Sequence, residues 1–172
     1  MGSMSFAIRR ADPADPADGP AIEAAGVVSR TAYVDGGHIP GRAEYAGRLA
    51  DAASRAREAE LWLAVDPDGT VLGSVTFAVG GSSYAEVSVE GEGEFRMLAV
   101  GEQARGRGVG EALVRRCVER ARELGLSALA ISTQPTMSAA HRLYERLGFT
   151  RAPELDWKPV PEVDLMTYRL TL

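Results

Sequence analysis

At 172 residues, with 45% hydrophobic and 25% charged residues, the chain has the size and balance of a single globular domain. Its formal charge of -5 argues against nucleic-acid binding, and the chain contains no run of about 18 apolar residues that could span a membrane. Its one cysteine cannot form an internal disulfide, and the cysteine and two histidines do not form a metal-ligand pattern. We therefore expect a cytoplasmic protein with no metal site, in which residues 4–172 form one domain and residues 1–3 are a cloning remnant.

The first part of the chain alternates between strand and helix patterns. Residues 6–9 predict a short strand, and the prolines after it exclude a helix until Pro20. Apolar residues at helical spacing then predict a helix that begins at Pro20 and ends in the glycine-bearing residues 35–41. A second stripe predicts one amphipathic helix through Tyr45, Leu49, Ala52, Ala56 and Ala59.

The middle and end of the chain add further strands. Residues 61–65 and 71–79, joined by an Asp-Pro-Asp-Gly turn, predict a β-hairpin, and residues 95–100 predict another strand. Residues 109–124 predict a helix, 128–131 a strand of a parallel sheet, and 138–147 another helix. Two late strands near 149–151 and 165–170 flank a proline-containing loop. This order indicates an α+β domain with a mixed sheet and helices on both faces.

Residues 101–110, called here the glycine loop, lie between a predicted strand and a predicted helix. Alternate glycines allow close approach of a ligand, and the first helical turn offers unpaired N–H groups, so the loop suits a diphosphate. Alternatively, the glycines form only a flexible loop in which Arg105 and Arg107 are solvated and bind no ligand. A Walker loop is excluded because Glu111 follows Gly110, and a dinucleotide fingerprint is weak because its third glycine comes one residue early.

Residues 105–110 resemble the signature of the GCN5-related N-acetyltransferase (GNAT) family, which is Arg or Gln, two residues, Gly, one residue, then Gly or Ala. Residues 95–100 resemble the family's fourth strand, and residues 140–149 resemble its final core helix and the turn after it. One position departs from the pattern, because Met137 stands where many members have Asn.

The resemblance implies an acetyl-CoA-dependent N-acetyltransferase with a splayed sheet of about six to seven strands and about four helices. It implies that the fourth and fifth strands separate around the pantetheine arm, and that the glycine loop holds the pyrophosphate. The implied cofactor-binding residues are Leu98, Ala99, Val100, Gln103, Arg105, Gly106, Arg107, Gly108, Val109, Gly110, Ala140 and Tyr144.

Two residues are candidates for proton transfer. Tyr144 would donate a proton to the departing thiolate, since a phenol is protonated at neutral pH, although it could instead be a packed core aromatic. Glu94 would take the proton of the amine. The acidic run Glu86, Glu90, Glu92 and Glu94 would either attract a cationic amine or form a solvated hairpin edge.

The acceptor is expected to be a primary amine of a small molecule, peptide or protein, bound by residues 33–41, 80–92 and 153–163. Cys117 lies in the apolar stripe of its helix, which favours direct transfer over an acyl-cysteine. The alternative function is a non-catalytic acyl-CoA-binding or regulatory module on the same fold. Edge strands and the C-terminal segment would allow a homodimer.

Overall fold

The computed structural model describes residues 5–38 and 43–172. Residues 1–3, interpreted as a cloning remnant, and residues 39–41 of the predicted acceptor loop lie outside the described residues. The strands are β1 Ala7–Arg10, β2 Glu60–Val65, β3 Val71–Val79, β4 Gly93–Val100, β5 Ala128–Thr133, β6 Thr150–Arg151, β7 Trp157–Val160 and β8 Val163–Thr171. The α-helices are α1 Gly19–Asp35, α2 Ala43–Ala50, α3 Ala52–Glu58, α4 Val109–Glu123 and α5 Ser138–Arg146.

The chain folds into two compact units. The first contains the described residues up to Phe77 together with Met97–Cys117, and the second contains Ala78–Arg96 and Val118–Leu172. Strands β3 and β4 and helix α4 each contribute residues to both units. Within residues 5–38 and 43–172, no helix combines the length and apolar character needed to cross a membrane.

The first unit is built on the antiparallel strands β1, β2 and β3, with β2 between the other two. Leu61 and Leu63 of β2 pack in one hydrophobic cluster with Ile22 of α1. Trp62 lies between them in sequence, and the guanidinium of Arg116 in α4 lies 4.5 Å from the centre of its ring. Because successive strand residues point to opposite faces, α1 and α4 cover opposite faces of this unit, as predicted.

The predicted helix through Tyr45 and Ala59 is in fact two helices, and this prediction was wrong. Asp51 interrupts it, because its carboxylate accepts a hydrogen bond from the backbone N–H of Ser54 at 3.1 Å and caps the start of α3. Ala59 lies outside α3 in an extended conformation. The apolar spacing continued across the break, so periodicity alone could not reveal the cap.

Arg55 of α3 is fully buried in the first unit. Its guanidinium donates to the carbonyl of Leu49 at 2.6 Å and to the hydroxyls of Ser29 and Thr76, each at 3.2 Å. These bonds connect α3 to α1, to the end of α2 and to β3. No local pattern in the sequence indicates this burial, since Arg57, two residues later in the same helix, is exposed.

The second unit contains a mixed sheet, which agrees with the predicted fold class. Strands β4 and β5 are parallel, with Gly93 opposite Leu129, and β5 is antiparallel to β8 along its whole length. Strands β6 and β7 both pair with β8. The predicted proline loop therefore contains a strand, β7, that sequence reasoning missed. Pro159 is tolerated there because proline occurs in sheets on edge strands and at irregular register.

Candidate active site

The glycine loop has the geometry of a helix-entry turn. Gly101 is followed by a short 3-10 turn, and Gly106 and Gly108 have φ values of 80° and 79° before α4 begins at Val109. A Cβ added to either Gly106 or Gly108 would meet no atom within 4 Å. Glycine is therefore needed there for its left-handed backbone rather than for packing, and the loop has open space beside it.

The first turn of α4 supplies the polar groups of this loop. The carbonyl of Gly108 accepts the first helical hydrogen bond from the N–H of Ala112 at 3.0 Å. As at every helix start, the preceding N–H groups have no intrahelical acceptor, and the helix dipole places partial positive charge beside them. The described backbone fits an anionic group at this position.

The two arginines of the loop, predicted to act together, have different surroundings. Arg107 forms an ion pair with Asp66 of the β2–β3 turn at 3.0 Å, with both side chains about a quarter exposed. Arg105 is exposed, and its side chain makes no ion pair or hydrogen bond within the described part of the chain. Arg105 is thus the arginine available to a ligand, and Arg107 attaches the loop to the hairpin.

Strand β4 contains a non-glycine residue with a left-handed backbone, Met97, whose φ is 55°. This conformation is uncommon outside glycine and interrupts a regular strand. Met97 is buried in a cluster with Ala46 and Leu49 of α2, which holds the distortion in place. The interruption lies directly before residues 98–100, whose backbone was predicted to bind pantetheine. No residue pattern in this strand indicates the interruption.

A cavity of about 450 Å³, called here the α1 cavity, lies in the first unit. Its volume is within the range of small-molecule sites. Two predicted cofactor-binding residues, Val100 and Arg105, border it. The remaining lining comes from α1 and the start of the glycine loop: Val27, Val28, Thr31, Ala32, Asp35, Gly36, Gly101 and Glu102.

Tyr144 is buried in the second unit, with 3% of its surface exposed. Its ring lies 5.7 Å from that of Phe95, 6.0 Å from Phe149 and 5.9 Å from Tyr168. We call these four residues the aromatic cluster. The packing expected of a core aromatic is therefore observed, and the cluster fixes the orientation of the Tyr144 ring.

Tyr168 is a member of the aromatic cluster that sequence reasoning did not single out. Its hydroxyl donates to a carboxylate oxygen of Glu145 at 3.0 Å, and the ring of His141 lies 5.5 Å away. Burial, and then the hydrogen bond to Glu145, raise the pKa of the Tyr168 phenol above its usual value. His141 of α5 is half-buried, and its ring nitrogen Nε2 is hydrogen-bonded to the carbonyl of Gln134 at 3.0 Å.

Glu94 is fully buried, and its carboxylate is held by the preceding loop. Oε1 accepts hydrogen bonds from the backbone N–H groups of Glu86, Val87 and Ser88 and from the Ser88 hydroxyl, at 2.9 to 3.0 Å. Oε2 accepts one, from the N–H of Glu86 at 3.1 Å. Oε2 is thus the oxygen with more remaining capacity to accept a proton.

The acidic run around Glu94 matches neither of the two predicted alternatives as a whole. Glu94 is buried, Glu92 pairs with Arg169, and Glu86 lies 3.6 Å from the guanidinium of Arg96. Most of this negative charge therefore has partners within the second unit. Glu86 and Glu90 are exposed, in agreement with the alternative of a solvated edge, whereas Glu92 and Glu94 are held by partners that are distant in sequence or lie in the preceding loop.

The sequence model of the Acetyltransferase (GNAT) family matches residues 31–149. That range contains strands β2 to β5, the glycine loop and α5. The chain belongs to the GNAT acetyltransferase family. The resemblance recognised in residues 105–110 is confirmed.

Curated relatives of this GNAT chain match it over part of their length. Mycothiol acetyltransferase from Cellulomonas flavigena is 35% identical over 124 residues, which is 67% of this chain and 36% of that protein. N-acetylaspartate synthetase from Danio rerio is 40% identical over 68 residues, which is 40% of this chain and 24% of that protein. The chain therefore spans little more than a third of one relative and about a quarter of the other.

Solved structures give the fold. A GNAT-family acetyltransferase from Staphylococcus aureus Mu50 has a TM-score of 0.75 at 13% identity and covers 98% of this chain and 99% of its own. A Salmonella typhimurium protein described as an acetyltransferase and solved with acetyl-CoA has a TM-score of 0.65 at 23% identity, over 98% and 94% of the two chains. The predicted GNAT-like α+β fold is confirmed.

The position of Met137 remains a departure from the family pattern. It is the residue before α5, and its side chain makes no capping hydrogen bond to the helix. Its sulfur accepts a hydrogen bond from the Thr133 hydroxyl at 3.5 Å. A thioether in this place cannot donate a hydrogen bond, whereas the amide of Asn can.

Proposed function

We propose that this GNAT protein moves an acetyl group from acetyl-CoA to a primary amine of a small molecule, peptide or protein by direct transfer. The observation that carries the proposal is the glycine loop. Two left-handed glycines with open space beside them lead into the first turn of α4, and the exposed Arg105 makes no ion pair among the described residues. This combination suits the pyrophosphate of coenzyme A.

Coenzyme A would be held along the chain from β4 to α4. The backbone of Leu98, Ala99 and Val100 would bind the pantetheine arm in the manner of an added strand. The pyrophosphate would lie on Gln103, Arg105, Gly106, Arg107, Gly108, Val109 and Gly110. Ala140 and Tyr144 of α5 would contact the thioester end, while Met137 would leave out the amide contact that Asn makes in other members.

Acetyl transfer from a thioester to an amine needs one proton removed from nitrogen and one given to sulfur. Glu94 would take the amine proton, directly or through a water, at Oε2. Tyr144 would donate its phenolic proton to the departing sulfur. The buried Cys117 supports direct transfer, because burial raises the pKa of its thiol well above the ordinary value and opposes formation of a nucleophilic thiolate.

The curated relatives are named for different compounds. One is named for mycothiol and another for N-acetylaspartate, which are chemically different, and the chain spans only part of each. We propose a cytoplasmic enzyme that needs no metal.

A thiol-release assay with acetyl-CoA and a panel of amines tests the proposed function. We expect release with at least one amine and a loss of turnover of about a hundredfold in Tyr144→Phe, with coenzyme A affinity unchanged. Tyr168→Phe is the matched control, since it removes a phenol from the same aromatic cluster and should retain turnover. Coenzyme A binding without thiol release from any amine would favour the alternative, a non-catalytic acyl-CoA-binding module.

A further inference from the structure

The α1 cavity lies on the face of the first unit that α1 covers. Six of its lining residues belong to α1 or directly follow it. The glycine loop leads instead into α4, which covers the opposite face of β2. Leu61 of β2 packs against α1, and its neighbour Trp62 packs against α4. The rest of the lining, Val100, Gly101, Glu102 and Arg105, belongs to the end of β4 and the start of the glycine loop. A ligand in the cavity and an anion on the first turn of α4 therefore occupy opposite faces.

The cavity has apolar sides. Val27, which is 61% exposed, presents its aliphatic side chain to water along the cavity. Val28 and Val100 are half-buried beside it. A ligand with an apolar segment would remove this surface from water, which favours binding.

Two carboxylates line the same cavity from different elements. Asp35 ends α1, and Glu102 follows β4. Within residues 5–38 and 43–172, neither side chain forms an ion pair or a hydrogen bond, in contrast to Glu86, Glu92 and Glu94. Their charge is therefore available to a ligand.

The position of Asp35 adds to the negative potential. The carbonyl end of a helix carries partial negative charge, and basic residues normally accompany it. The last turn of α1 has no basic residue and ends in an aspartate. Arg105 is the cation among the lining residues, and it is assigned above to the pyrophosphate.

We infer that the α1 cavity binds the acceptor and selects an amine that carries a second cationic group across a short apolar spacer. The inference rests on the proposed function. The nitrogen that reacts must be neutral, so it gains little from a carboxylate, whereas a second ammonium that stays charged would lie between Asp35 and Glu102. The spacer would lie on Val27 and Val28.

Two amines with the same five-carbon chain, one with a second amino group and one without, test this inference. The second-order rate constant kcat/KM is measured by thiol release for 1,5-diaminopentane and for pentylamine. We expect the diamine to be preferred about tenfold, and the preference to fall towards unity at high salt, as for partly exposed charge pairs. Asp35→Asn and Glu102→Gln should each reduce this preference from about tenfold to about threefold.

Glu23→Gln is the matched control, because it neutralises an exposed carboxylate on the same helix, away from the cavity. It should keep the diamine preference. Equal use of both amines by the wild type, or a preference that Asp35→Asn and Glu102→Gln leave intact, would overturn the inference while the proposed function stands. If neither amine releases thiol, calorimetry with 1,5-diaminopentane decides: binding lost in Asp35→Asn supports the cavity assignment, and no binding by the wild type refutes it.

Discussion

Oε1 of Glu94 accepts a hydrogen bond from the hydroxyl of Ser88 at 3.0 Å, in addition to backbone N–H groups of the same loop. A candidate base is therefore also the anchor of the segment before β4. A fully buried carboxylate that accepts several hydrogen bonds stabilises the residues that donate them, and its loss would leave those donors unsatisfied.

Glu94→Gln should lower both stability and turnover. We expect the free energy of unfolding to fall by about 2 kcal/mol, because hydrogen bonds to a charged acceptor are replaced by bonds to a neutral one. Turnover should fall about a hundredfold if the carboxylate takes the amine proton. Urea denaturation and thiol release measure the two effects.

Ser88→Ala is the comparison for that variant. It removes one donor and keeps the carboxylate, so we expect a loss of about 1 kcal/mol in unfolding free energy and turnover close to that of the wild type. A turnover loss in Ser88→Ala as large as in Glu94→Gln would mean that Glu94 acts by holding the loop and not as the base.

The two arginines of the glycine loop should respond differently to truncation. Arg105→Ala should weaken coenzyme A binding about tenfold with little change in stability, because its side chain has no ion-pair or hydrogen-bond partner among the described residues. Arg107→Ala should cost up to about 1 kcal/mol of stability through loss of its pair with Asp66. Calorimetry and denaturation give the two values.

Asp66→Asn provides the control for this pair of variants. If the Arg107–Asp66 pair is responsible, Arg107→Ala should cost less in the Asp66→Asn background than in the wild type. Equal costs in both backgrounds, or a stability loss confined to Arg105→Ala, would contradict the assignment.

Gly108→Ala should destabilise the protein although it creates no steric clash. The φ of 79° lies in the left-handed region, which costs an alanine about 1–2 kcal/mol. Gly47→Ala is the matched control, since Gly47 lies inside α2 with open space around it, and alanine should stabilise that helix by about 0.5–1 kcal/mol. Thermal denaturation should therefore show a lower Tm for Gly108→Ala and a higher Tm for Gly47→Ala. An unchanged Tm for Gly108→Ala would refute the argument from backbone conformation.

Gly108→Asp should in addition weaken coenzyme A binding, because it places bulk and negative charge against the pyrophosphate. Calorimetry should show a greater loss of coenzyme A affinity for Gly108→Asp than for Gly108→Ala. Wild-type affinity in Gly108→Asp would remove the glycine loop as the pyrophosphate site.

Cys117 should make stability depend on alkaline pH. Burial raises the pKa of its thiol in the folded protein, so the folded state retains the proton that the unfolded chain releases. The contribution is fully present below the unfolded pKa of about 8.5 and declines above it by about 1.4 kcal/mol per pH unit. The difference in unfolding free energy between wild type and Cys117→Ala should show this slope.

Cys117→Ala also tests direct transfer. The variant should retain turnover, because the thiol forms no acyl intermediate in the proposed mechanism. A complete loss of thiol release in a folded Cys117→Ala protein would contradict direct transfer.

Local patterns predicted most of the elements correctly. The stripe of α4, the Asp-Pro-Asp-Gly turn and the apolar run of β5 each depend on neighbouring residues, so a short stretch of sequence is enough to define them. The predictions failed at two places for different reasons. The side chain of Asp51 caps a new helix inside a continuous apolar stripe. Strand β7 forms around Pro159 because it pairs with β8, a contact that local residue types do not specify.

Local residue types are enough to specify the glycine loop, because the left-handed backbone at Gly106 and Gly108 and the start of α4 depend on neighbouring residues. The roles of the charged residues depend instead on contacts that exist only in the folded protein. Arg107 is paired with Asp66, 41 residues away, whereas Arg105 has no ion-pair partner within residues 5–38 and 43–172. Glu94 is fully buried and accepts several hydrogen bonds. Charge is visible in a sequence, but its partners and its exposure to water depend on contacts between segments that the chain order does not specify.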